Sequence, residues 1–136
     1  MQIGTKNVNS KIELLEIIKE GIEPLSYVKE EKDIDFISNA IIIEGNDEDT
    51  YVEEIAEIVY KSIIYYVLYT DTEEKTLKRC KEIAQIGMSG TDGINEVRNL
   101  VKNEERAEML FKSVEIAPEK TAKEIFEKLN ERLSKI

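Results

Sequence analysis

The sequence predicts an all-α protein, a single compact bundle of about six or seven helices around a central apolar helix at about residues 50–69. Three observations carry that expectation. Two prolines and six glycines in 136 residues leave few places where a helix must break. Apolar residues recur three and four positions apart in segment after segment. The stretch 58–69 is apolar nearly all round, as suits a helix covered on several sides.

Each element follows from local signals. Asn9 or Ser10 can cap a helix over 11–20, and Gly21 suits the residue just past its end. Ile12, Leu15 and Ile18 share one face, with Leu14 and Ile17 beside it. Residues 23–28 read as an extended or turn segment around Pro24, because the residue before a proline avoids the helical region. A second helix is expected over 31–44, with Ile34, Ile37 and Ile41 on one face and Gly45 at its end. Residues 46–50 form an acidic loop in which Thr50 or Asp49 caps the central helix. Glu53, Glu54 and Glu57 should face outward from its first turns. Asp71 or Thr72 then caps a helix over 73–86, with Leu77, Cys80 and Ala84 in a stripe. Gly87, Gly90 and Gly93 mark a flexible loop. Short helices follow over 94–102 and 104–114. Pro118 suits the first turn of a last helix, whose stripe is Ala122, Ile125, Phe126, Leu129 and Leu133. No sheet is expected.

Composition removes several functions. Twenty-nine acidic residues against nineteen basic ones give a net charge of −10. That balance opposes general electrostatic binding to nucleic acid or an anionic membrane. One cysteine allows no internal disulfide, and without histidine neither a usual zinc site nor histidine-based acid–base machinery can be built. No catalytic residue, metal or cofactor is therefore expected. A phosphate-binding loop needs a glycine followed by lysine, and no glycine here precedes one. A calcium loop read from Asn46 places Tyr51 where glycine is required. Cys80 lies on an apolar stripe and reads as a buried structural thiol. Tyr51, Tyr60, Tyr65, Tyr66 and Tyr69 read first as side chains wedged between helices, and second as a stacking surface for bases.

Residues 1–10 lack the apolar core of a signal peptide. The uncharged run at 62–70 is far shorter than the roughly 20 residues that cross a bilayer. With a lone thiol, this points to a cytoplasmic setting without direct membrane contact.

The charge is uneven. Residues 1–70 carry six basic and fifteen acidic side chains, a net of −9, while residues 71–136 carry thirteen and fourteen, a net of −1. On the last helix, Glu119–Lys123, Glu124–Lys128 and Glu131–Lys135 stand in the favourable i,i+4 order. That helix reads first as a salt-bridged outer face. Secondarily, Lys120, Lys123, Lys128 and Arg132, together with Lys112, form a candidate nucleic-acid-facing set.

The order of segments carries a further signal. "EPLSYVKEEKDIDFISNAIIIEG", then "YVEEIAEIVYKSIIYYVLYT", then "EEKTLKRCKEIAQI" resembles the all-alpha domain of the type IV secretion coupling protein family, in its Gram-positive form. "MLFKSVEIAPEKTAKEIFEKLNERLSKI" is similar to a later segment of that domain, through Lys112, Ala117, Lys120, Thr121, Ile125 and Leu133. The resemblance covers about residues 23–133. Residues 1–22 form an N-terminal helical segment that matches the family poorly, and residues 23–136 would be the substrate-recognition domain.

The resemblance implies a specific role. Family members are ring-forming ATPases that recruit DNA and protein substrates for conjugation, and the all-alpha domain sits at the cytoplasmic mouth of the ring. This chain would be the relaxosome-docking module without the motor, from a parent anchored at the cytoplasmic face of the membrane. Its partner would be a basic relaxase or relaxosome accessory protein, engaged by an acidic face of Asp47, Glu48, Asp49, Glu53, Glu54 and Glu57. DNA contact in isolation would be weak. A free-standing helical adaptor or regulator, acting by protein–protein contact, is the alternative. An enzyme with a carboxylate-only site is a third.

Overall fold

In the computed structural model, which describes residues 1–46 and 49–136, the chain forms seven α-helices and a short hairpin. The expected all-α bundle is thus the observed architecture. Its axis is α3 (Thr50–Tyr69). Ala56, Val59, Tyr60, Ile63, Ile64 and Val67 on this helix are all 0% exposed. Around it pack α2 (Glu31–Ile42), α4 (Leu77–Ile86), α5 (Thr91–Val101), α6 (Glu105–Glu115) and α7 (Glu119–Leu133). The outer helix α1 (Lys11–Lys19) lies against α2 and against a 3-10 turn at Pro24–Tyr27.

Side chains at the starts of several helices satisfy backbone N–H groups there, which makes those starts sharp. The Ser10 hydroxyl accepts from the Glu13 amide at 3.2 Å and caps α1. The Asp33 carboxylate reaches back to the Lys29 and Glu30 amides at 2.9 and 3.2 Å at the start of α2. At α3 the cap is Asp49, which accepts from the Val52 amide at 3.1 Å. Glu104 caps α6 by accepting from Arg106 and Ala107 at 2.8 and 3.0 Å. Gly21 ends α1 at φ +86°, a left-handed conformation that favours glycine.

Four expectations need correction. The buried face of α1 is Leu14 and Ile17, whereas Ile12 is 71% exposed. This short helix has neighbours on one side only, so it buries a narrow stripe. Helix α4 starts at Leu77 rather than near Glu73, with Thr76 as its cap. Asp71 is drawn away by Arg79, whose Nε donates to it at 2.7 Å, and Glu23 accepts from the Leu77 amide at 2.9 Å. The same Glu23 carboxylate accepts from the Leu25 amide at 3.0 Å, so it ties the 3-10 turn to α4. Burial pushes the Glu23 carboxyl above its usual range.

The third correction concerns the glycine-rich stretch. It is a 3-10 turn, Gly87–Ser89, leading directly into α5. A methyl group on Gly87 would lie 2.2 Å from the Phe126 ring, and one on Gly93 would lie 2.1 Å from the Ile86 carbonyl oxygen. These glycines permit close packing. Fourth, residues 1–10 contain a small sheet, β1 (Gln2–Ile3) antiparallel to β2 (Lys6–Asn7). It sets Ile3 and Val8 into the core at 5% and 0% exposure.

Tyr60 is fully enclosed, and its hydroxyl has no hydrogen-bond partner among the described residues. Tyr60→Phe removes that orphan group without changing shape. It should therefore stabilise the protein by about 1 kcal/mol, read as a higher urea midpoint with an unchanged m-value.

Candidate docking surface

The acidic set expected on one partner-facing surface does not converge. Asp47 and Glu48 lie outside the described residues. Asp49 serves as the α3 cap. Glu54 is exposed, while Glu57 is half-buried between Asn39, which donates to it at 3.1 Å, and Lys61 at 3.1 Å. Glu53 is 3% exposed and faces inward, contrary to expectation.

Its partner corrects a second expectation. Arg132, assigned to a nucleic-acid-facing set, is 4% exposed. Its Nη2 donates to Glu53 at 2.7 Å and its Nε donates to the Ile42 carbonyl at 2.9 Å. Glu44 lies 3.5 Å from the same guanidinium, and the Glu44 amide donates to Glu53 at 3.1 Å. Arg132 thus stitches α7 to the end of α2 and the start of α3. A charge so enclosed persists because it is paired and hydrogen-bonded. The other cations of the set stay nearer solvent. Lys112, Lys120 and Lys123 are exposed, and Lys128 pairs with Glu131 at 3.8 Å. Of the three expected i,i+4 pairs, Glu131–Lys135 forms at 3.4 Å. Lys123 turns instead to Glu127 at 4.0 Å, and Glu119 accepts from the Thr91 hydroxyl at 2.6 Å.

A different surface does converge. Helix α2 presents Glu31, Asp35 and Asn39 at i, i+4 and i+8, and all three are exposed. Helix α3 runs beside it with Glu57, Lys61, Tyr65 and Tyr69 at the same spacing. The two rows meet rung by rung: Asn39 with Glu57 at 3.1 Å, Asp35 with Lys61 at 3.3 Å, and Glu31 with Arg106 of α6 at 3.8 Å. At the last rung, the Arg106 guanidinium lies 4.8 Å from the Tyr65 ring centroid and 4.4 Å from that of Tyr69. The two rings are 6.1 Å apart and tilted by 32°. Glu104 holds the same guanidinium, accepting from Nε at 3.0 Å.

The electrostatics follow from this crowding. Burial raises the Tyr65 phenol above its ordinary value, and the charges of Glu31 and Asp35 add to the effect. Burial would lower the Lys61 ammonium, but Glu57 and Asp35 outweigh it and hold it above its usual range. The arrangement is a cation laid on aromatic faces and ringed by carboxylates, which suits recognition of charged side chains. Sequence reasoning missed Arg106 altogether. The i,i+4 pairs Glu31–Asp35 and Tyr65–Tyr69 were visible, but the arrival of an arginine from a third helix leaves no periodic trace.

Two other chemical groups are structural. Cys80 is fully buried, and burial first, then the charge of Glu23, pushes its thiol far up. At Asp71, burial works to raise the carboxyl, but Arg79 and the Glu73 amide outweigh it and hold it below 3.8. A depressed carboxyl contributes stability above its unfolded value and loses it as pH falls through the folded one. Asp71→Asn should therefore flatten the acid limb of thermal stability between about pH 5 and 2, measured by circular dichroism.

Among the described residues, no group of three or more acids and cysteine is placed to hold a metal ion, and no helix is long and apolar enough to cross a membrane. Fold and surface together define an all-α bundle with a polar-aromatic face between α2, α3 and α6. No family model, curated protein or solved structure matches the chain.

Proposed function

We propose that the chain is a substrate-recognition, relaxosome-docking module like those of conjugative coupling ATPases, acting by protein–protein contact and without the motor. The observation that carries this reading is the order of the resembling segments at residues 23–133. Each segment also coincides with one packed unit: the turn at Pro24–Tyr27 with α2, then α3, then α4, then α6 with α7. The partner is a basic relaxase or accessory protein. Support comes from the exposed carboxylates of Glu30, Glu31 and Asp35, whose side chains are 58%, 69% and 60% accessible. Such charge steers encounter and fixes register more than it sets affinity. DNA is a secondary ligand at most, since Arg132 is committed to the interior and the remaining candidate cations stand among acids. The setting is cytoplasmic, at the membrane face where the parent ATPase would be anchored.

The test is binding of the purified chain to the relaxase and accessory proteins of the same mobile element. Binding should be strong at low salt and weaken as salt screens the exposed carboxylates. No binding at low salt to any of those proteins would overturn the proposal. A second reading, self-association as a free-standing adaptor, is favoured by Met109 on α6 and Ile116 just past its end, which are 67% and 82% exposed. Light scattering distinguishes a monomer from a dimer.

A further inference from the structure

We propose that Tyr65, Tyr69, Glu31 and Asp35 form an arginine-reading site, occupied in the free protein by Arg106 and taken over on docking by an arginine of a basic partner protein. The inference rests on the docking reading and adds the chemistry by which the partner is read. Arg106 itself shows what the site accepts. Its guanidinium covers both ring faces at 4.4 and 4.8 Å, with the Glu31 carboxylate 3.8 Å away. Guanidinium stacks on aromatic rings and pairs with carboxylates better than ammonium does. The occupant sits at the surface, with its side chain 43% exposed and its ion pair with Glu31 long, so a visiting guanidinium can compete with it for the rings.

Charge complementarity selects the visitor. Lys61 is already shared between Glu57 and Asp35, and Lys32 pairs with Glu30 at 3.1 Å. The carboxylates of Glu30, Glu31, Asp35, Glu57 and Glu104 outnumber the cations they pair with, Lys32, Lys61 and Arg106, so the patch attracts an incoming cation and repels a phosphate backbone. Tyr69, half-exposed at 50%, leaves one ring open to the visitor.

The experiment titrates the full chain, followed by NMR, with the peptide Gly-Arg-Gly-Arg-Gly, its citrulline counterpart and a short oligothymidine. The arginine peptide should shift the resonances of Tyr65, Tyr69 and Arg106, and the neutral citrulline peptide should not. Arg106→Ala removes the competitor and should tighten peptide binding by about five- to tenfold. Tyr69→Leu should weaken it by about threefold or more. Circular dichroism confirms that both variants fold, and the surface position of Tyr69 makes its variant the safer one. Peptide shifts that bypass the ring pair, no gain in Arg106→Ala, or equal binding of the citrulline peptide would each overturn the site. Tighter binding of oligothymidine than of the arginine peptide at Tyr69 would also overturn it, in favour of base stacking. A relaxosome protein that binds while the ring pair stays silent leaves the docking reading standing without this site. A ring pair that responds to peptide while no relaxosome protein binds leaves the site standing without that docking role.

Discussion

Replacing Arg132 with alanine is expected to cost about 3–5 kcal/mol of stability, the usual result of removing one partner from a buried ion pair. The loss has two parts. Glu53, 3% exposed, is left as a buried carboxylate with the Glu44 amide at 3.1 Å as its remaining neutral donor. The Ile42 carbonyl at the end of α2 also loses its 2.9 Å donor. The guanidinium of α7 joins two elements that lie 90 and 79 residues earlier in the chain, so the variant should loosen the α2–α3–α7 corner as a unit. Urea unfolding followed by helical circular dichroism measures the loss. The double variant Arg132→Met with Glu53→Leu should recover most of it, because well-packed apolar residues often replace a buried pair without penalty. A single-variant loss below about 1 kcal/mol would show that the pair behaves as a solvated one.

Gly93→Ala is the second large effect, expected at about 3 kcal/mol. The added methyl would sit 2.1 Å from the Ile86 carbonyl oxygen and 3.0 Å from the Ser89 β-carbon. A backbone oxygen at the end of α4 cannot swing aside as a side-chain tip can, so α4 and α5 must separate. Gly87→Ala meets the ring of Phe126, which is fully buried and tilted by 60° against Phe111 at 6.4 Å between centroids, so it too lacks room. A flexible loop, as the glycine spacing suggests, would give the opposite result. Alanine would then add up to about 1 kcal/mol by restricting the unfolded chain. Chemical unfolding of the two variants separates the alternatives by sign.

Much of the fold was legible from residues close together in the chain. Ser10 and Gly21 bound α1, Asp49 opens α3, and the stripe from Ala122 to Leu133 is buried as its spacing requires. Such features depend on interactions within one or two helical turns, where chain neighbours are also spatial neighbours. The candidate site was less legible. Glu53, Glu54 and Glu57 look alike in sequence, yet Glu53 is enclosed, Glu57 is half-buried in a rung, and Glu54 remains in solvent. What encloses Glu53 is Arg132, 79 residues along the chain, and what holds Glu57 is Asn39 of α2 with Lys61. Likewise Gly87 and Gly93 read as freedom in the sequence and serve close approach in the fold, because the Phe126 ring and the Ile86 carbonyl define the space. Arg106 joined the polar-aromatic face through the same kind of encounter, by stacking on rings from another helix. Periodicity tells which residues share a face; which faces meet, and which charges then find each other, is settled when the helices pack.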